Sequence, residues 1–416
     1  MRRPSKTSTN KLSTESQRLV HLAQGITQAS SRLEERSWEA TLDAQLHKLL
    51  KTGHQDTLDA ALDHLFRSDL AAYDTLMEAI EAGSESCTIE HEGEHYDALL
   101  IAAPALAWTR FTIASGPIPQ DMRDTLAAHL HAHLLAEHAR LALAPTLYAI
   151  DQLPRTHTET LALTQRMAQA ALKNSAPRPL TNTPETAPFL ADTRYLLAAA
   201  VVRRGEPLFR WQESMDIRER ERGFEQWRAQ AAPTMMRLLP GCNIDLLLPE
   251  AYYVACREAD KLIRPASIRA AVHYLAYTLN VVPQDLRAII GGFAEEPLNG
   301  RIDEYRIGFA LRHEPEIVYG VVWPLYGEED KGAVDATTLV DALSAEDLDE
   351  PGPRTAIAEI LALLNECGLV HIKRHTEHFP MEFCDDCGAP LYPDPEGELV
   401  HAEMPEDAPS GSGHFH

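Results

Sequence analysis

Two cysteines near the C-terminus carry the most specific chemistry in the sequence: Phe383-Cys384-Asp385-Asp386-Cys387-Gly388-Ala389-Pro390-Leu391-Tyr392. A Cys-x-x-Cys-Gly turn directs two thiolates and several backbone N–H groups to one point, the geometry that suits tetrahedral zinc. Glycine after the second cysteine permits the left-handed backbone that closes such a loop. The flanks, Met381 to Phe383 and Ala389 to Tyr392, read as the short strands of a zinc knuckle, so the segment resembles half of a zinc ribbon. A second Cys-x-x-Cys is absent, so two further ligands must come from elsewhere. His414 and His416 end the chain after a Ser-Gly-Ser-Gly stretch and would complete a Cys₂His₂ site with Cys384 and Cys387. His401, His375, His378 or a second copy of the chain are the other sources. A redox role fits less well, because thioredoxin-type pairs sit at a helix N-terminus, whose dipole lowers the thiol pKa.

Two histidine patterns point to metals and read better as scaffold. His91-Glu92-Gly93-Glu94-His95 matches His-Glu-x-x-His, but that chemistry needs a helix to place both imidazoles on one face. Gly93 in the centre, between strand-like flanks, predicts a hairpin tip instead. His129 and His133 lie four residues apart on a predicted helix and flank a Leu126, Leu130, Leu134 stripe, the pattern of an ordinary amphipathic helix. Arg218, Arg220 and Arg222 alternate with Glu219 and Glu221, which reads as an ion-paired solvated face. There is no P-loop, no Gly-x-Gly-x-x-Gly after a strand and no Gly-x-Ser-x-Gly elbow. No recognisable nucleophile, base and orienter stand together, so the sequence leans away from an enzyme.

The elements that must position these residues predict an α/β protein, with α+β as the variant. Residues 16–85 read as helices, from Leu19, Leu22 and Ile26 through Leu76, Met77 and Ile80. Ser86 to Leu100 predicts two strands around Glu92-Gly93, and Asp97 to Trp108 a buried strand. A helix over Gln120 to Glu137, a strand over Leu141 to Ile150 and a helix over Thr156 to Leu172 follow. Residues 174–190 hold four prolines and read as a linker. Beyond it the pattern predicts a strand pair, Tyr195 to Val202 with Leu208 to Trp211, then a helix over Ile217 to Leu239 and a short strand over Ile244 to Leu248. Helices are predicted over Pro265 to Leu279 and Pro283 to Ile290, with Gly291-Gly292 as a C-cap. A hairpin over Tyr305 to Leu311 and Ile317 to Tyr326, a helix over 353–367 and a strand over Leu369 to Lys373 complete the body. The expected organisation is a basic arm (1–15), a helical region with a first α/β unit (16–173), a linker (174–190), a second α/β unit (191–375) and an acidic tail with the knuckle (376–416). Asp97-Ala-Leu-Leu and Asp245-Leu-Leu-Leu open similar stretches, a weak echo that suggests duplication.

Charge and composition bound the function. The 416 residues carry 38 Lys plus Arg against 62 Asp plus Glu, a net charge of −24 that argues against coating nucleic acid. Residues 328–350 contribute nine acids and one lysine, and residues 375–416 ten acids and no Lys or Arg, so most of the charge belongs to one loop and one tail. No apolar run of about 18 residues spans a membrane. The N-terminus has no apolar core for a secretory signal, which leaves the cytoplasm as the expected compartment and thiols or metal ligands as the expected state of the six cysteines.

The chain resembles an uncharacterised bacterial family known as a domain of unknown function. The resemblance rests on Glu39-Ala-Thr-Leu, Thr57-Leu-Asp-Ala-Ala-Leu-Asp-His-Leu-Phe, Asp97-Ala-Leu-Leu-Ile-Ala-Ala-Pro, Phe209-Arg-Trp-Gln-Glu and Phe383-Cys-Asp-Asp-Cys-Gly-Ala-Pro-Leu-Tyr-Pro. It covers nearly the whole chain and implies a soluble bacterial protein without an assigned activity. The expected function is an interaction or regulatory protein with a structural zinc in its tail, able to meet a protein partner or a second copy of itself. One alternative is an enzyme that holds a small anionic ligand in a cleft between the α/β units, near Arg110 and Arg257. Another is weak nucleic-acid binding through the basic arm at residues 1–11.

Overall fold

The computed structural model describes residues 12–180, 189–295, 302–326, 329 and 355–404. The first four helices form a bundle: α1 (Thr14–Thr27), α2 (Arg32–Lys51), α3 (Gln55–Ser68) and α4 (Leu70–Glu85). Ser13, Ser31 and Asp69 cap α1, α2 and α4 by accepting N–H bonds from the first turn. Leu19, Leu49, Leu58, Leu65, Leu76 and Ile80 fill the bundle core.

The chain then builds a wide antiparallel sheet. Strand β1 (Ser86–His91) turns at Glu92-Gly93 into β2 (Glu94–Trp108). Positive φ at both turn residues, 53° and 80°, gives the tight reversal predicted for them. Strands β3 (Gly116–Pro117), β4 (Arg140–Ala149), β5 (Ala191–Arg203), β6 (Asn243–Leu246) and β7 (Glu250–Ala251) join it. The order is β1-β2-β5-β4-β3, with β6 and β7 also paired to β2. Helices cover both faces, which explains the unbroken apolar run in β2. On one side α5 (Gln120–His133) and α7 (Glu219–Leu238) bring Leu126, Leu130, Trp227 and Met235. On the other, α6 (His157–Leu172) and the first half of α8 (Tyr252–Thr278) bring Leu163, Met167, Ala255 and Ala259.

Several expectations change here. Chain on both sides of residues 174–190 builds this one sheet, since β5 pairs with β2 from Tyr96↔Arg203 to Trp108↔Ala191. The strand that Asp97 opens and the one at Asp245 pair with each other in this same sheet (Leu106↔Asp245), so the echoed segments do not occupy equivalent places in two units. Leu208 to Trp211 forms no strand; Phe209 makes a single bridge to Leu135, and a 3-10 turn follows at Arg210–Gln212.

Helix α8 begins thirteen residues before Pro265, where the sequence predicts its start. Pro265 lacks the N–H that would bond the Lys261 carbonyl; Arg264 Nε donates to that oxygen instead, at 3.1 Å. The helix therefore runs from the first sheet to the second. That sheet has the order β10-β9-β8-β11: β10 (Tyr319–Pro324), β9 (Glu304–Leu311), β8 (Leu286–Ala294) and β11 (His371–Pro380). The β8–β11 pair is parallel and the others antiparallel. The second half of α8 and α9 (Ala356–Glu366) cover one face through Ile268, Leu275, Ile357 and Ile360. Residues 283–290, predicted as a helix, are a 3-10 turn at Pro283–Asp285 leading into β8. Gly291-Gly292 lies inside that strand, not at a helix end. A Cβ on Gly291 would meet Phe379 and Pro393 at 2.9 Å, and one on Gly292 would meet Ile302 at 2.8 Å, so close packing requires both glycines. With a mixed second sheet and helices on the sheet faces, the α/β assignment holds.

The N-terminus of α8 is fastened by acids of α4. Glu85 Oε2 accepts the Tyr253 N–H at 2.9 Å, and Glu81 pairs with Arg257 at 2.5 Å. Burial pushes the Glu85 carboxyl up to about 7. A carboxyl with a raised folded pKa binds more protons folded than unfolded, so its contribution is full below the ordinary carboxylate range and is lost as pH rises through 7. Glu85→Gln should therefore stabilise the chain at pH 8 and change little at pH 5. Urea unfolding at both pH values checks this, and an equal effect at both would refute it.

Candidate metal centre

After β11 the chain turns sharply. Phe383 and Pro390 form an antiparallel bridge, Cys384 N–H donates to Ala389 O and Gly388 N–H to Cys384 O, both at 2.8 Å. Gly388 has φ +74°, the left-handed conformation expected of it. Inside this loop the backbone N–H groups of Cys387 and Asp386 point at the Cys384 sulfur and hold its thiol below the ordinary value.

A small hairpin brings in the third group. Strands β12 (Tyr392–Pro393) and β13 (Leu399–Val400) pair around a turn in which Asp394 accepts the N–H groups of Glu396 and Glu398 at 2.8 Å. The returning chain places His401 against the thiols. Its Nε2 stands 3.2 Å from Cys387 Sγ. The ligand atoms of Cys384, Cys387 and His401 all lie within 4.8 Å of one another. In tetrahedral zinc with two sulfurs and a nitrogen, ligand atoms stand roughly 3.5–3.8 Å apart, so small side-chain adjustments suffice. His401 Nδ1 makes no hydrogen bond among the described residues, but Glu403 Oε1 lies 3.3 Å away, near enough to become the carboxylate that orients a metal-bound imidazole.

The centre rests on a built seat. Arg306 of β9 is fully buried; its Nε meets Glu304 at 2.6 Å, and its Nη1 donates to Glu382 O at 2.6 Å and Leu391 O at 2.7 Å. One guanidinium thus fastens both strands that enter and leave the knuckle. Its face stacks between Phe293 and Phe383, at 4.2 and 5.0 Å from the ring centroids. Beside it Tyr392 packs over Gly320, and with Val400 and Ala402 covers Ile289, Ala310 and Ile317 on the open face of the second sheet.

Cys384 and Cys387 thus come together as the sequence predicts. The partners expected first, His414 and His416, lie outside the described residues. His401, an alternative source, occupies the third corner. The thirteen residues between Cys387 and His401 match the Cys-x-x-Cys…His spacing of zinc modules, the signal that identifies it. His375 bonds the Asp394 carbonyl at 2.9 Å, fastening β11 to the hairpin turn.

The other histidine patterns fall into scaffold. Glu90↔His95 and His91↔Glu94 are cross-strand pairs, so His91 and His95 project from opposite faces of the hairpin. His129 and His133 stack at 6.1 Å, and His133 Nδ1 bonds Gln226. Of the arginines considered for an anionic ligand, Arg257 is paired with Glu81 and Arg110 lies over the Phe111 and Tyr277 rings. Among the described residues no helix is long and apolar enough to cross a membrane.

A family model described as "Protein of unknown function (DUF2863)" matches residues 4–415. No curated protein and no solved structure matches the chain.

Proposed function

This chain belongs to the DUF2863 family of proteins of unknown function, and we propose that it is an interaction or regulatory protein whose C-terminal segment is held by a structural zinc ion. Cys384, Cys387 and His401 supply three ligands, and His414 or His416 the fourth. The observation that carries this reading is the meeting of two thiols and an imidazole at one point. A backbone that already directs N–H groups at a sulfur supports it further. Nine residues lie between Met404 and His414, and the ten extended steps that join them reach about 33 Å, ample to return to the site. Zinc fits the donor set better than harder cations, because thiolates favour soft and borderline metals. Binding energy at such a site becomes folding energy for the segment it closes. The reading places the protein in the cytoplasm, where free thiols persist. The knuckle packs on the second sheet, so a partner protein or a second copy would meet a face already set by the metal.

Zinc analysis of the native, untagged chain tests this. We expect about one zinc per chain, lost in Cys384→Ser and Cys387→Ser and strongly weakened in His401→Ala. Glu403→Ala should weaken chelator-competed affinity by about 10- to 100-fold, as loss of an orienting carboxylate does elsewhere. If His414 and His416 share the fourth corner, replacing both weakens binding and replacing either alone does little. A native chain without zinc, or one that keeps it after Cys387→Ser, overturns the proposal.

A further inference from the structure

A groove lies beside the start of β4, and the sheet order explains why. Strand β5 pairs with β4 from Arg140 onward, but on the other side β3 reaches only Thr146 and Leu147. The first residues of β4 therefore end the sheet, with α5 on one face and α6 on the other. Ala127, Ala139 and Ala171 keep the space beside them open, and the groove has a volume of about 430 Å³, within the size range of small-molecule sites. Its charge is one-sided. Arg140, His131 and Asn174 line it and no acid does, in a chain with 62 acids against 38 Lys plus Arg. Among the described residues Arg140 meets the Leu172 carbonyl at 3.1 Å and the Tyr96 ring, 5.4 Å from its Cζ, and pairs with no carboxylate. A guanidinium is a fork of donors, so one bond to a carbonyl leaves an edge for a further acceptor. Open carbonyls at the end of α6 would repel an anion. They are closed: the N–H groups of Lys173, Asn174 and Ser175 bond Gln169, Ala171 and Ala170, and Arg140 bonds Leu172. Asn174 takes φ +46° to make that turn and lines the groove beside Arg140. His131 Nε2 donates to Ala139 O at 3.1 Å, which fixes the ring as a side wall.

We propose that this groove binds a small organic carboxylate, its charge on Arg140 and Asn174 and its short apolar body against Ala127, Leu141 and Ala171. A planar carboxylate matches the guanidinium fork and accepts two parallel bonds from it. The Tyr96 ring and the Leu172 carbonyl already hold that guanidinium, so little ordering is left for the ligand to impose. Leucine and alanine side chains make up the rest of the lining, so a body of a few carbons gains burial that a bare inorganic anion does not. The groove belongs to the first sheet and the knuckle packs on the second, so the two sites stand or fall separately.

The test titrates the full-length native chain with butyrate, valerate, their neutral amides and inorganic phosphate at constant ionic strength, read by saturation-transfer NMR. We expect saturable binding of the two acids, with the amides and phosphate weaker by about tenfold or more, the loss that follows when a charged hydrogen bond is removed. Arg140→Met keeps the stem against Tyr96 and removes the charge, and should weaken valerate by about tenfold or more. Asn174→Gly keeps the left-handed turn without the amide and should weaken it less, by about threefold. Ala127→Leu fills the groove from a half-buried position on α5, leaves Arg140 in place and should abolish binding. Urea unfolding of each variant shows whether it is folded; if Arg140→Met is not, Ala127→Leu decides. Amides that bind as well as the acids, phosphate that binds as well as valerate, valerate binding that survives Ala127→Leu, or no saturable binding of either acid overturns the proposal.

Discussion

Arg306→Met is expected to destabilise the chain by about 3–5 kcal/mol and to weaken zinc binding, although Arg306 touches no ligand atom. The side chain is fully buried against an almost fully buried Glu304. Burial pushes the Glu304 carboxyl up and Arg306 holds it down, so removing the guanidinium leaves a carboxylate without its counter-charge. The same change strips the donor from the Glu382 and Leu391 carbonyls, the two points at which the knuckle is fastened to β9. Glu304→Gln alone keeps those two bonds and should cost less. Glu304→Gln with Arg306→Met should recover part of the stability, because no unpaired charge remains, while the zinc affinity stays low, because the knuckle is still unfastened. Urea unfolding and chelator competition on the three variants separate the two effects. A loss below about 1 kcal/mol, or wild-type zinc affinity in Arg306→Met, would show that the knuckle holds its shape without this seat.

The sequence made the knuckle legible because its chemistry is local. Cys384, Cys387 and Gly388 fall within five residues, and one turn closes them. His401 carries a weaker signal because its place depends on the β12–β13 hairpin, a tertiary fact; in the sequence only its distance from Cys387 marks it out. Arg306 carries no signal in the sequence, since its partners are the carbonyls of Glu382 and Leu391, more than seventy residues away. Fold elements divide along the same line. The four N-terminal helices repeat apolar residues at helical spacing and bury them within their own bundle, so periodicity is enough. Residues 283–290 read as a helix because Ala288, Ile289 and Ile290 form a short apolar run that fits either period, and the chain there leads into β8 instead. Pro265 reads as a helix start because the replacement donor to Lys261 O is a side chain, Arg264, that no propensity scale counts. Between the first and second halves, prolines at residues 177, 179, 184 and 188 predict a boundary, yet sheet pairing between β2 and β5 runs across it. Composition reports local stiffness; it does not report which strands find each other.

Gly320→Val should give the second large effect, about 3 kcal/mol or more in stability, with a parallel loss of zinc affinity. Gly320 lies in β10, paired with Gly308 of β9, in extended backbone that any residue could adopt. Its glycine is required by a neighbour and not by a turn, because a Cβ there would fall within the Tyr392 ring. Tyr392 is buried, and it opens the hairpin that ends in His401. A side chain at position 320 must therefore lift the ring off the sheet, uncover Ile289, Ala310 and Ile317, and shift the strand that delivers the imidazole to the thiols. Tyr392→Ala removes the obstacle and should make the Gly320→Val change much cheaper. The two substitutions together should then cost well under the sum of each alone, as contacting residues do. Unfolding free energies around this cycle, with zinc affinity measured on each variant, decide it. Strict additivity would mean that ring and glycine do not share the site. A stable Gly320→Val with undiminished zinc affinity would mean that the hairpin can leave the sheet without carrying His401 away from the cysteines.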